Sequence, residues 1–154
     1  MVDLNGHVRV LGESYENKIR NGEWRHFDQQ ERLLSIETFR NDTLQGPASL
    51  YYYTNPNSPT RLQGSYQAGV QTGRWELWQS TSAINKDGSG RWKKVVWYDY
   101  DATGRMRTRY QLHPNGKVAL ELSMSISGQD THYRQYSPKG KLIGEGKKLP
   151  DILE

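Results

Sequence analysis

The residue types able to carry out chemistry are few in this chain and badly placed for it. Its four histidines, His7, His26, His113 and His132, are scattered, and no HxxxH or HExxH pair sets two of them on one helical face, as a zinc site of that type requires. There is no cysteine, which removes disulfides, thiolate metal ligands and thiol nucleophiles. The glycines fall at turn spacing, without a phosphate-loop, dinucleotide or Gly-x-Ser-x-Gly pattern. The carboxylates Asp99, Asp101 and Glu121 are each expected to face an arginine, so no two of them sit in environments that drive their pKa values apart. The expectation is a protein with no catalytic residue, metal or cofactor, hence not an enzyme and without a small-molecule substrate.

Binding chemistry is better represented. Five tryptophans and ten tyrosines help bring the aromatics to 11% of 154 residues, and 21 Lys and Arg stand against 17 acids. Trp24, Trp75 and Trp97 recur in similar settings, and Arg105, Arg107 and Arg109 form an alternating stripe. Trp, Tyr and Arg dominate the energetics of protein interfaces, and a basic stripe can also meet phosphates. The plainer alternative is that the rings hold a thin sheet together while the arginines lie solvated beside Asp99, Asp101 and Glu121.

The elements that would position these residues follow from repeats. Gly104, Gly116, Gly128 and Gly140 are spaced by twelve, about one strand plus one turn. His113-Pro114-Asn115-Gly116 and Ser137-Pro138-Lys139-Gly140 place Pro and Gly as a type I turn followed by a left-handed residue requires. In the first half the beat is doubled. Tyr15 to Trp24, Phe39 to Ala48 and Tyr66 to Trp75 share the pattern aromatic, six residues, Gly-x-Trp, with Ala48 in place of one tryptophan. The Thr54 to Pro59 and Gln79 to Gly90 stretches fall where loops belong, and no segment has useful helical periodicity. The reading is all-β: an open, twisted antiparallel meander of repeated hairpins in a single layer, with eleven to thirteen strands estimated at about one per twelve residues. Residues 1–146 form the repeat domain and 147–154 a polar C-terminal tail.

Alternation then assigns faces. Val118, Leu120, Leu122, Met124 and Ile126 should share a buried face. A single bulged turn at Gly116 places Tyr110 opposite Leu120, Met106 opposite Met124 and Arg109 opposite Glu121. One period earlier it sets Tyr98 opposite Thr108, Tyr100 opposite Met106 and Asp99 opposite Arg107. A slip by one would bury Arg107 and expose Leu120. The same bookkeeping puts Trp24, Trp75 and Trp97 on one face as a ridge, with Arg109 beside Trp97, and Phe27, Trp78 and Tyr100 on the other face.

Gly22-Glu23-Trp24, Gly73-Arg74-Trp75, Asn5-Gly6-His7-Val8, Asn115-Gly116-Lys117-Val118 and Lys139-Gly140-Lys141-Leu142 resemble the MORN repeat and its bacterial variant, from about Asn5 to about Gly146. Departures are Ala48 for tryptophan, Lys18 and Asp42 for turn glycines, and the Gln79 to Gly90 insertion. Chains built only of such repeats are similar to the YwqK-type antitoxin or immunity family, and the resemblance implies a non-catalytic binder whose partner is a toxin.

The functional expectation is therefore a protein-binding module that docks a partner on an aromatic and basic sheet face through Trp24, Trp75, Trp97, Arg105, Arg107 and Arg109. The alternative is an adaptor for anionic membrane or nucleic-acid surfaces, less favoured because the net charge is only +4 and no RNP-like segment is present. Met1 to Val10 has no apolar signal core, so the chain as it stands reads as cytoplasmic, or as exported if an N-terminal signal was removed.

Overall fold

A computed structural model of the chain describes residues 1–125 and 131–147. The turn around Gly128, the face of Ile126 and all of the tail beyond Lys147 lie outside the described residues. The strands are β1 Val10–Glu16, β2 Ile19–Phe27, β3 Leu33–Arg40, β4 Thr43–Tyr52, β5 Thr60–Gln67, β6 Val70–Ser80, β7 Trp92–Tyr100, β8 Met106–Leu112, β9 Val118–Met124, β10 Thr131–Tyr136 and β11 Leu142–Gly146. They form one antiparallel sheet of eleven strands in chain order, open at both edges, and each strand packs on its sequence neighbours.

Two turn chemistries build the meander. Asn17-Lys18, Asn41-Asp42 and Ala68-Gly69 are two-residue turns with positive φ at both positions (52° and 63°, 48° and 65°, 50° and 84°), the type I′ geometry whose twist suits a hairpin. Longer loops at residues 53–59 and 81–91 join β4 to β5 and β6 to β7, and a second group of turns is five residues long. The first residue's N–H donates to the fifth carbonyl, and the fourth N–H donates back to the first carbonyl, as in Asp28 to Arg32, Asp101 to Arg105, His113 to Lys117 and Ser137 to Lys141. The Asp28 and Asp101 side chains also accept backbone N–H groups across their own turns. At Ala68 the left-handed conformation (φ 50°) is borne by a residue that gains nothing from it. Ala68→Asn is expected to raise stability by about 1 kcal/mol, because Asn tolerates that region far better; the midpoint of urea unfolding checks it.

The register departs from the expectation at one recurrent point. Leu112 pairs with Val118, as a single bulged turn demands, but Gln111 then pairs with Leu120, so Ala119 is an extra residue. Arg107 and Ile143 are the corresponding extra residues in the β7/β8 and β10/β11 hairpins. A second bulge thus follows each of these turns three residues beyond its glycine. Tyr100 does pair with Met106, but past the bulge Tyr98 faces Arg109, Asp99 faces Thr108 and Trp97 faces Tyr110. Arg109 faces Leu122 and Tyr110 faces Glu121. Leu120 and Tyr110 consequently lie on opposite faces, which corrects the sequence-based register. Leu120 stays buried, at 4% exposure, and it is Arg109 that the one-residue shift draws inward.

Most of the core occupies one face, termed the core face: Leu33, Phe39, Ala48, Trp75, Val96, Leu120 and Leu122 are all buried. A single cross-strand row runs over it from Gly12 through Trp24, Glu37, Ala48 and Gly64 to Trp75, Tyr98, Arg109, Leu122, Tyr133 and Gly146. Size alternates along it. Each of the two indoles lies against a glycine on the strand before it, and a Cβ at Gly64 would fall 2.3 Å from the Trp75 ring. The positive φ of Gly22, Gly46 and Gly73 (77°, 104° and 67°) bulges β2, β4 and β6 just ahead of this row. The aromatic nine residues earlier closes the motif: Tyr66 meets Trp75 edge-on at 5.1 Å, and Tyr15 meets Trp24 at 5.5 Å. Where Ala48 replaces the indole, the Arg20 guanidinium covers Phe39 at 3.9 Å.

Candidate functional site

The residues expected to form one docking ridge are divided between the two faces. Trp24 and Trp75 share the core-face row, but Trp75 is 0% exposed and belongs to the core. Its indole N–H donates to the Ser65 carbonyl at 3.2 Å. Trp24 is half-buried in a cleft of about 580 Å³ lined also by Gly12, Tyr15, Arg20 and His26. Trp97 points to the opposite, outer face, because Glu76 is its partner on β6 while Trp75 faces Tyr98. The reason is local: no Gly-x-Trp bulge precedes Trp97, and the extra residue of β7 is Val95. Tyr100 correspondingly lies on the core face and Trp78 on the outer one.

The arginine stripe divides as well. Arg105 is exposed at its turn. Arg107 donates from Nε to Asp101 at 2.7 Å and from Nη1 to the Ser125 carbonyl at 3.0 Å, so its acid is Asp101 and not Asp99. The Thr103 hydroxyl, backbone N–H groups of the turn and Arg107 together hold the Asp101 carboxyl far below the usual carboxylate range. Arg109 sits half-buried on the core face, away from Glu121 and from Trp97.

What Trp97 joins is an aromatic and cationic band on the outer face that the sequence reading did not assemble. Across β5, β6 and β7, Arg61 pairs with Trp78 and Trp78 with Lys94. Arg61 lies 5.4 Å from the Trp78 ring centroid and 4.7 Å from that of Trp92, which Tyr51 approaches edge-on at 6.0 Å. Lys94 lies 5.8 Å from Trp78 and 5.2 Å from Trp97. Arg74 lies 4.6 Å from Trp97 and 6.0 Å from Tyr110. Rings and cations therefore alternate as Trp92, Arg61, Trp78, Lys94, Trp97, Arg74 and Tyr110, each cation between two rings. Two of the three cations also hold acids: Arg74 with Asp99 at 3.0 Å, the bond that raises the Arg74 pKa, and Lys94 with Glu76 at 3.6 Å. Burial pushes the Tyr110 phenol up. Arg61 Nε and the Trp78 and Trp97 indole N–H groups are closed to solvent without an acceptor, a cost of about 1–3 kcal/mol each that the ring–cation contacts offset.

No sequence signal of ordinary kind marks this band. Lys94 and Trp97 are three apart, a spacing that shares a face of a strand only when a bulge such as Val95 intervenes. The histidines remain dispersed: His26 meets Ser35, His113 meets the Tyr136 carbonyl and His7 lies beside Asp3. Among the described residues no cluster of three or more His, Asp or Glu is placed to hold a metal ion. No family model matches the chain, and no curated protein matches it.

Proposed function

We propose that the protein is a non-catalytic binding module that docks another protein on its outer face. The observation that supports this reading is the alternating band from Trp92 to Tyr110, a continuous strip of Trp, Tyr, Arg and Lys across four neighbouring strands. These are interface-forming side chains, and each cation already lies between two rings, a mutual packing that lowers the side-chain entropy to be lost on binding. The resemblance of the Gly-x-Trp hairpins to variant MORN repeats extends the proposal to an antitoxin- or immunity-like role, with a toxin as the partner. An adaptor for anionic membranes or nucleic acid is the weaker reading. Asp99 and Glu76 already neutralise Arg74 and Lys94, whereas phosphate surfaces are held by uncompensated cations.

The test uses proteins encoded beside this one, purified separately, with affinity measured by calorimetry. One of them is expected to bind in a manner little affected by salt, and Trp97→Ala with Arg61→Ala should cost at least about 2 kcal/mol of that affinity, some 30-fold. Trp24→Ala, on the other face, should change it by less than about 1 kcal/mol. Equal losses at Trp24 and Trp97 would sink the assignment to the outer face. Binding instead to anionic vesicles or oligonucleotides, falling steeply with salt, would replace the reading with the adaptor.

A further inference from the structure

Arg109 is an electrostatic anomaly. It lies half-buried on the core face between Tyr98 and Leu122, neither of which carries charge, and its Nε is closed to solvent without an acceptor. Among the described residues it makes no ion pair, hydrogen bond or ring contact. The register explains why. Within β7 to β11 the carboxylates are Asp99, Glu121 and Glu145, and their cross-strand partners Thr108, Tyr110 and Arg134 set all three on the outer face. Asp101, at the turn, is engaged by Arg107. Among the described residues, the core face of these strands thus carries a partly desolvated guanidinium and no acid to compensate it, an arrangement that destabilises the sheet until an anion arrives.

We propose that the core face over β7 to β11 is a second docking surface, on which Arg109 receives a carboxylate from an acidic segment of a protein partner. A guanidinium matches a carboxylate with two parallel N–H bonds, and its low-dielectric setting beside Tyr98 and Leu122 strengthens them. The Gln111 and Gln135 amides share this face and offer further donors. A single half-buried cation suits one carboxylate, whereas a phosphate polymer calls for a cluster. This surface is on the opposite side from the aromatic band and stands or falls independently of it.

The test measures fluorescence anisotropy of a labelled peptide of alternating Glu and Leu against a Gln and Leu peptide of equal length, at physiological salt. Wild type should bind the Glu peptide saturably and prefer it. Arg109→Met should weaken that binding at least about tenfold, the order expected when a charge-assisted bond is lost, while raising Tm, because an apolar side chain of similar length carries no desolvation cost. Arg109→Lys should retain only part of the affinity, and decides the matter should the Met variant fail to fold. Arg61→Met, on the outer face, should leave peptide binding unchanged. The proposal is overturned if wild type shows no preference for the Glu peptide, if Arg109→Met binds as wild type does, or if its Tm falls with binding intact. Competition by anionic vesicles or oligonucleotides that depends on Arg109 would likewise overturn it in favour of a phosphate surface.

Discussion

Replacing Trp75 by alanine is expected to lower the unfolding free energy by about 3–5 kcal/mol, the range for deleting a fully buried large aromatic. The sheet has a single layer and most of its other tryptophans keep part of their surface in water, so Trp75, at 0% exposure, bears more of the core than any neighbour. Its removal takes away the edge contact with Tyr66 at 5.1 Å. It also leaves the Ser65 carbonyl without its indole donor and opens a void over Gly64 that the flat backbone beneath cannot fill. Domains of this size have about 5–15 kcal/mol in total, so the variant should be partly unfolded at 37 °C. Chemical denaturation followed by circular dichroism measures the loss; a cost under about 1 kcal/mol, the value for a surface residue, would contradict the central role given to this ring. Trp24→Ala, whose indole is half-exposed in its cleft, should cost clearly less.

The second large effect comes from adding a methyl group. Gly64→Ala puts a Cβ 2.3 Å from Cδ2 of Trp75, and Gly12→Ala puts one 2.4 Å from Cε2 of Trp24, so on distance alone the two substitutions look equivalent. They should not behave alike. Trp75 is wholly buried between Tyr66 and the Gly64 backbone and has nowhere to go, whereas Trp24 lies in an open cleft near the β1 edge and can swing outward with Tyr15, itself 57% exposed. Overpacking an enclosed site costs about 1–3 kcal/mol or more, and Gly64→Ala should reach or exceed the top of that range while Gly12→Ala stays near its bottom. Urea midpoints for the pair decide it. Equal costs would mean that enclosure of Trp75 does not govern the response.

Much of the architecture was legible in the chain. Twelve-residue spacing of Gly104, Gly116 and Gly140, with Pro and Asp ahead of them, specifies reversal after reversal, and the aromatic to Gly-x-Trp spacing marks hairpins whose tyrosine and tryptophan do meet. The candidate site was less legible. Trp97 read as a third member of the tryptophan ridge because it stands three residues before an aromatic, but it lacks the preceding glycine. The ridge therefore ends at Trp75, and Trp97 enters a band with Arg61, Trp78 and Lys94 that no spacing announces.

Local chemistry determined what each segment does by itself: where the chain turns, which residues alternate, and that the product is one meander of strands, since turn propensity and period-two alternation act within a few residues. Only the tertiary structure decided which side chains share a face. That depends on bulges at Arg107, Ala119 and Ile143, and a bulge is set by how two strands fit rather than by the residue that occupies it. Because the strand period is two, each extra residue carries everything beyond it to the other side of the sheet, which is how Arg109 came to lie against Leu122 and Trp97 against Tyr110.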